Sequence, residues 1–193
     1  MSALTELLEA PPRLFRWSVP VYEELAAQGC LPKRAELIRG YIIEKMPKSP
    51  AHRALTKRIY DQLTQKLPLG WLVYQEAPLR FLDSEPEPDI AIVQGKEEEF
   101  EAHHPTTAAL VIEVAVSSVA LDRVKAELYA EAGVTEYWIV LSQERAVEIY
   151  SNPEPNGYAS RRRVEDGELL ISTAMPAVKL ELSSILPTMG SAI

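Results

Sequence analysis

Leu110-Val111-Ile112-Glu113-Val114-Ala115-Val116 is apolar at both odd and even positions except for one carboxylate. A run of this kind is expected as a central strand covered on both faces. Residues 120–132 follow as a helix closing at Gly133, where glycine accepts the left-handed conformation that ends helices. Residues 136–141 then return to strand character. Strands before and after a crossover helix indicate a mixed α/β sheet.

Working outward, residues 89–93 form another apolar strand, joined to the central one by a charged loop over 96–104. Residues 71–82 read as a strand or a bent strand pair, and 84–88 as an acidic, proline-broken turn. Ser49 before Pro50 is a helix start, because serine caps a free N–H and proline suits the first turn. That helix runs to about residue 66, with His52, Leu55, Ile59 and Leu63 at the spacing of one buried face. Residues 36–46 read as a hairpin turning at Arg39 and Gly40, after a helix over 19–28 closed by Gly29. Beyond 141 the chain alternates strands and turns, including a turn over 152–157 and strands over 158–164 and near Leu169.

With 193 residues, 47% of them hydrophobic and 25% charged, the chain is expected to form one domain, 1–193. The single cysteine, Cys30, excludes an intramolecular disulfide, and no Cys/His cluster is spaced for zinc. The first residues lack the pattern of a signal peptide, and no segment reaches the roughly 20 apolar residues of a membrane span. A cytoplasmic setting without membrane partners is the expectation. The net charge of −8 argues against a protein that coats long nucleic acids with a broad basic surface. It is compatible with a phosphodiesterase, because carboxylates gathered to hold cations reverse the local field once those cations bind. The basic clusters Lys57-Arg58 and Arg161-Arg162-Arg163 read either as solvated faces or as local anion contacts.

Glu113 is the break in the pattern. An unpaired carboxylate in a doubly covered strand costs several kcal/mol, so it must be paired, protonated or bound to a cation. In the next helix the inward stripe reads Leu121, Val124, Leu128 and Ala132, with Lys125 beside it. Lys125 either snorkels to water or compensates Glu113. Asp89 opens the neighbouring apolar strand, where it either closes a turn or joins Glu113. Two adjacent carboxylates repel, and a hard cation with oxygen ligands, Mg²⁺ or Mn²⁺, relieves that repulsion.

The segments Glu36-Leu37-Ile38-Arg39-Gly40, Ser49-Pro50-Ala51-His52, Ser84-Glu85-Pro86-Glu87-Pro88-Asp89, Val111-Ile112-Glu113-Val114, Asp122-Arg123-Val124-Lys125, Tyr129-Ala130-Glu131-Ala132-Gly133 and Glu136-Tyr137-Trp138 resemble, in order and spacing, the Uma2 family of restriction-endonuclease-like proteins in the PD-(D/E)XK nuclease superfamily. The resemblance covers about residues 35–150. It implies a mixed central sheet flanked by helices, with additional β-hairpins and C-terminal strands over about 158–182. It also implies hydrolysis of phosphodiester bonds in DNA with Mg²⁺ or Mn²⁺. Asp89, Glu113 and Lys125 match the catalytic positions, with metal held by Asp89, Glu113 and the Val114 carbonyl. Glu36 matches an additional early acidic residue that assists metal binding, the alternative being a hairpin residue facing solvent. Ala115 stands where the superfamily usually has lysine, and Lys125 on the following helix resembles its replacement. His52 is either a substrate contact or a packed, hydrogen-bonded histidine, and His103 and His104 read as exposed loop residues. By analogy the protein is a homodimer, with 158–164 as candidate contacts. Two rivals remain open: a catalytically inactive nuclease-fold DNA-binding or scaffold protein, and a metal-free hydrolase of small molecules.

Overall fold

The computed structural model describes residues 14–116 and 119–186. They fall into two compact units, one comprising the chain up to Lys45 together with Leu82–Glu85, the other Met46–Phe81 and everything from Pro86 onward.

The first unit holds α1 (Val19–Ala27) and the antiparallel hairpin of β1 (Ala35–Ile38) and β2 (Tyr41–Glu44). The N–H of Gly29 donates to the Ala26 carbonyl and that of Cys30 to the Leu25 carbonyl, so α1 ends in a Schellman closure. Between the strands Arg39 and Gly40 both have positive φ, 53° and 78°, as a two-residue type I′ turn demands. Val19, Tyr22, Ala35 and Leu37 form the small apolar core of this unit.

The second unit is built on a six-stranded sheet. Its order is β3 (Trp71–Gln75), β4 (Ile90–Gln94), β5 (Leu110–Ala115), β6 (Glu136–Leu141), β7 (Ala146–Glu154) and β8 (Gly157–Glu165). All neighbours are antiparallel except β5 and β6, which run parallel because α3 (Val119–Glu131) carries the chain from one to the other. β5 is buried at every position, as its two-sided apolar pattern predicts. On one face, Leu55, Ile59 and Leu63 of α2 (Pro50–Thr64) pack on Ile112, Val114, Trp138 and Val140. The hairpin of β9 (Leu169–Ile171) and β10 (Lys179–Glu181) and the short α4 (Leu182–Ile185) contribute to this same layer. On the other face Ala126 and Tyr129 of α3 pack on Val111, Ala115, Tyr137 and Ile139.

Of the two readings left open for residues 71–82, the single strand is the one found, and it is shorter: β3 stops at Gln75, because Glu76 turns left-handed at φ 52° and Pro78 offers no N–H to a ladder. Two expectations need correction. The turn expected over 152–157 is shorter, since β7 continues to Glu154 with Asn152 at φ 60° as a local irregularity. The inward stripe of α3 is also different. Val124 is 65% exposed and Leu121 is exposed as well, whereas Asp122, Lys125, Ala126 and Tyr129 face inward. Apolar residues lie on several sides of this helix, so they do not fix its rotation. The space over Glu113 calls for hydrogen-bond donors, and Lys125 with Tyr129 supplies them.

Candidate active site

All residues of the site belong to the sheet unit. β4 pairs with β5 so that Ile90 faces Ile112, which sets Asp89, just before β4, opposite Glu113 inside β5. The N–H of Asp89 donates to Glu113 Oε2 at 3.2 Å, and the N–H of Val114 donates to Asp89 Oδ2 at 2.8 Å. Both carboxylates are therefore fixed by backbone donors as well as by side chains. Each is only about one-twentieth exposed.

Lys125 comes down from α3 with Nζ 3.2 Å from Glu113 Oε1, and the Tyr129 hydroxyl donates to the same oxygen at 3.1 Å. Four residues apart, the two donors share one helix face. Gly133 terminates the helix in a Schellman closure, its N–H donating to Ala130 and that of Val134 to Tyr129. That closure sets where the last turn, and with it Tyr129, meets the sheet.

From the opposite face, α2 presents His52. The Ser49 side chain caps the helix by accepting from the His52 N–H at 3.1 Å, which holds His52 at the helix start. Its Nε2–H donates to Asp89 Oδ2 at 2.9 Å. Lys48, just before the cap, places Nζ 2.5 Å from Asp89 Oδ1 and 3.1 Å from Glu76. Burial alone would raise the Asp89 carboxyl, but His52 and Lys48 hold it down at about 2. Asp89 is thus an anion throughout the neutral range. The same contacts raise Lys48 above its ordinary value against the opposing effect of burial.

Lys48 and Glu76 line an open groove of ≈ 850 Å³, together with Arg53, Lys57 and Gln75. Of the other sequence candidates, Glu36 belongs to the hairpin unit, where it is fully buried and not solvent-facing, its carboxylate 3.7 Å from Lys45. His103 and His104 are exposed. The basic clusters are largely engaged within the chain: Lys57 pairs with Asp61, Arg58 donates to the Ile185 carbonyl, Arg161 pairs with Glu148, and Arg163 with Glu144 and Glu165.

The donor set bears on metal binding. Among the described residues no three His, Cys, Asp or Glu side chains are gathered for an ion. The protein offers two carboxylates on adjoining strands, an all-oxygen pair that fits a hard, partly hydrated cation such as Mg²⁺ or Mn²⁺.

The sequence profile of Uma2, described as "Putative restriction endonuclease", matches residues 22–183. The chain belongs to the Uma2 family. A crystal structure described as a putative nuclease belonging to DUF820, from Anabaena variabilis, superposes with a TM-score of 0.69 at 17% identity, covering 83% of this chain and 96% of that one. This likeness is one of fold. No curated protein matches. Uma2 membership supports a nuclease, a hydrolase of phosphodiester bonds. Among the described residues no helix is long and apolar enough to cross a membrane.

Sequence reasoning missed Lys48 and Tyr129 in this Uma2 chain. Tyr129 carried a signal: it stands four residues after Lys125, the spacing of two side chains that meet one target. Lys48 carried none, because a lysine before a helix cap has no periodic pattern to betray its direction.

Proposed function

We propose that this protein is a metal-dependent endonuclease that hydrolyses phosphodiester bonds in DNA, with Asp89, Glu113 and Lys125 as its working residues. The observation that carries the reading is the meeting of Asp89 and Glu113 on adjoining strands beneath the ammonium of Lys125, in a Uma2 chain.

Asp89, Glu113 and the Val114 carbonyl are the groups that would hold Mg²⁺ or Mn²⁺. The Val114 N–H points at Asp89, and a strand residue directs its N–H and C=O to the same side. When bound, the ion supplies a Lewis acid for the phosphate and lowers the pKa of a bound water. The chain's own residues do the rest. His52 orients the Asp89 carboxylate and keeps it ionised. Lys125, held by Glu113, supplies positive charge against the negative charge that develops on phosphate oxygens. His52 acts through Asp89, which makes it a positioning residue. The homodimer suggested by family analogy has a candidate surface in β8, whose outer edge pairs with no other strand among the described residues.

Incubation of plasmid, linear duplex and single-stranded DNA with Mn²⁺ tests the reading. Cleavage should disappear with EDTA and with Asp89→Ala, and fall steeply with Lys125→Ala. Cleavage retained by Asp89→Ala refutes the site, and cleavage that survives EDTA favours a metal-free hydrolase. A second reading, a non-cleaving nuclease-fold DNA-binding protein, is favoured by Ala115 at the usual lysine position. It predicts DNA binding without turnover and no Asp89-dependent Mn²⁺ uptake by calorimetry.

A further inference from the structure

Asp89 has two oxygens with different surroundings. Oδ2 already accepts two hydrogen bonds, from the Val114 N–H and from His52. Oδ1 meets only Lys48 among the described residues. Any cation drawn to Asp89 therefore competes with the Lys48 ammonium for Oδ1. That ammonium has a second anchor, since Glu76 lies 3.1 Å away and is half exposed on the groove wall. Glu76 is held there by an unusual backbone: its φ is 52°, and its N–H donates to the Asp89 carbonyl at 3.2 Å. A left-handed glutamate costs about 1 kcal/mol or more, and here the turn sets its carboxylate beside the lysine.

We propose that Lys48 is a tethered counter-ion for Asp89, which a divalent cation displaces onto Glu76. The inference rests on the metal-site reading and adds its regulation. Metal entry and the transfer of an ammonium to the groove wall become one exchange. Asp89 remains compensated in both arrangements, so the buried carboxylate is never left bare. Lys48 on Glu76 then adds positive charge to a groove already lined by Arg53 and Lys57, so cation uptake makes the groove more attractive to a phosphate backbone.

Calorimetric titration of MnCl₂ into the intact protein tests the exchange without relying on turnover. Lys48→Met should bind Mn²⁺ about tenfold tighter or more, the scale on which one charge a few ångströms away shifts a carboxylate's cation occupancy. Lys57→Met removes an exposed charge from the same groove and should change affinity by less than about twofold. Glu76→Gln should weaken binding in the wild-type background and have a much smaller effect in Lys48→Met, because Glu76 acts through the lysine. Should Lys48→Met fold poorly, Lys48→Arg provides the opposite test: its fork grips Asp89 more firmly and should weaken Mn²⁺ binding. Equal tightening by Lys48→Met and Lys57→Met, or tighter binding by Lys48→Arg, overturns the counter-ion role. So does equal binding by wild type and Lys48→Met with loss in Asp89→Asn, an outcome that leaves the metal site standing. No Mn²⁺ uptake by any variant overturns the exchange and the metal-site reading together.

Discussion

Replacing Lys125 with methionine should strand Glu113, and the size of the loss follows from its surroundings. Both side chains are nearly fully buried, 3% exposed for Lys125 and 7% for Glu113. Removing one partner of such a pair typically costs about 3–5 kcal/mol, because the other charge stays buried and uncompensated. Glu113 keeps the Tyr129 hydroxyl and the Asp89 N–H, which puts the expected loss at the lower end, about 3 kcal/mol. Glu113→Gln leaves an ammonium facing an amide oxygen and should cost about 2 kcal/mol. The double substitution leaves no buried charge at this pair and should cost little more than Glu113→Gln alone, giving a coupling of about 3 kcal/mol. Urea unfolding of the four proteins measures it, provided the slope with denaturant stays constant across the set. Additivity within about 0.5 kcal/mol would mean that Lys125 finds water and that Glu113 does not depend on it.

Other consequences are open to direct measurement. Asp89 is held at about 2, below its ordinary 3.8, so its contribution to stability is complete above about pH 4 and is lost as pH falls through 2. His52→Ala should therefore move the acid-unfolding midpoint upward, and an unchanged midpoint by circular dichroism would remove His52 from the account. Glu148, held down to about 2 against burial by Arg123, Tyr150 and Arg161, anchors β8 to β7 and α3. Its two arginines are about half exposed and solvent screens them, so Glu148→Gln should cost about 1–2 kcal/mol in urea unfolding; a loss under about 0.5 kcal/mol would mark the network as incidental. Gly40→Ala should destabilise the hairpin unit by more than about 1 kcal/mol, since φ is 78° and the added Cβ would lie 2.8 Å from the Cβ of Arg16. Hydrogen exchange of β1 and β2 amides reads that loss, and unchanged protection would contradict it.

The sequence was most informative where burial and chemistry disagreed. A two-sided apolar strand interrupted by Glu113 announced both the centre of the sheet and the need for a partner, and Ser49-Pro50 announced the helix that delivers His52. The rotation of α3 was not legible. Leu121 and Val124 looked inward by hydropathy, yet they face outward because the space over Glu113 needs donors. Helix periodicity scores apolar residues, so a polar inward face defeats it. Lys48 was invisible for a related reason: its direction is set by Asp89, a partner forty-one residues away in the chain.

Ala115 shows why the ammonium comes from a helix in this chain. Two residues beyond Glu113 on the same face of β5, it is 2% exposed and packed with Ala126 and Tyr129 in the layer beneath α3. A lysine there would need the volume those side chains fill, and its stem would push α3 off the sheet. Lys125 brings the same charge to Glu113 from above, where the helix supplies the stem's packing. The charge therefore depends on how α3 seats on the sheet, and Tyr129, which shares the Glu113 oxygen, couples that seating to the site. A substitution that shifts α3 without touching any charged residue should for this reason disturb the site as surely as the loss of Lys125 itself.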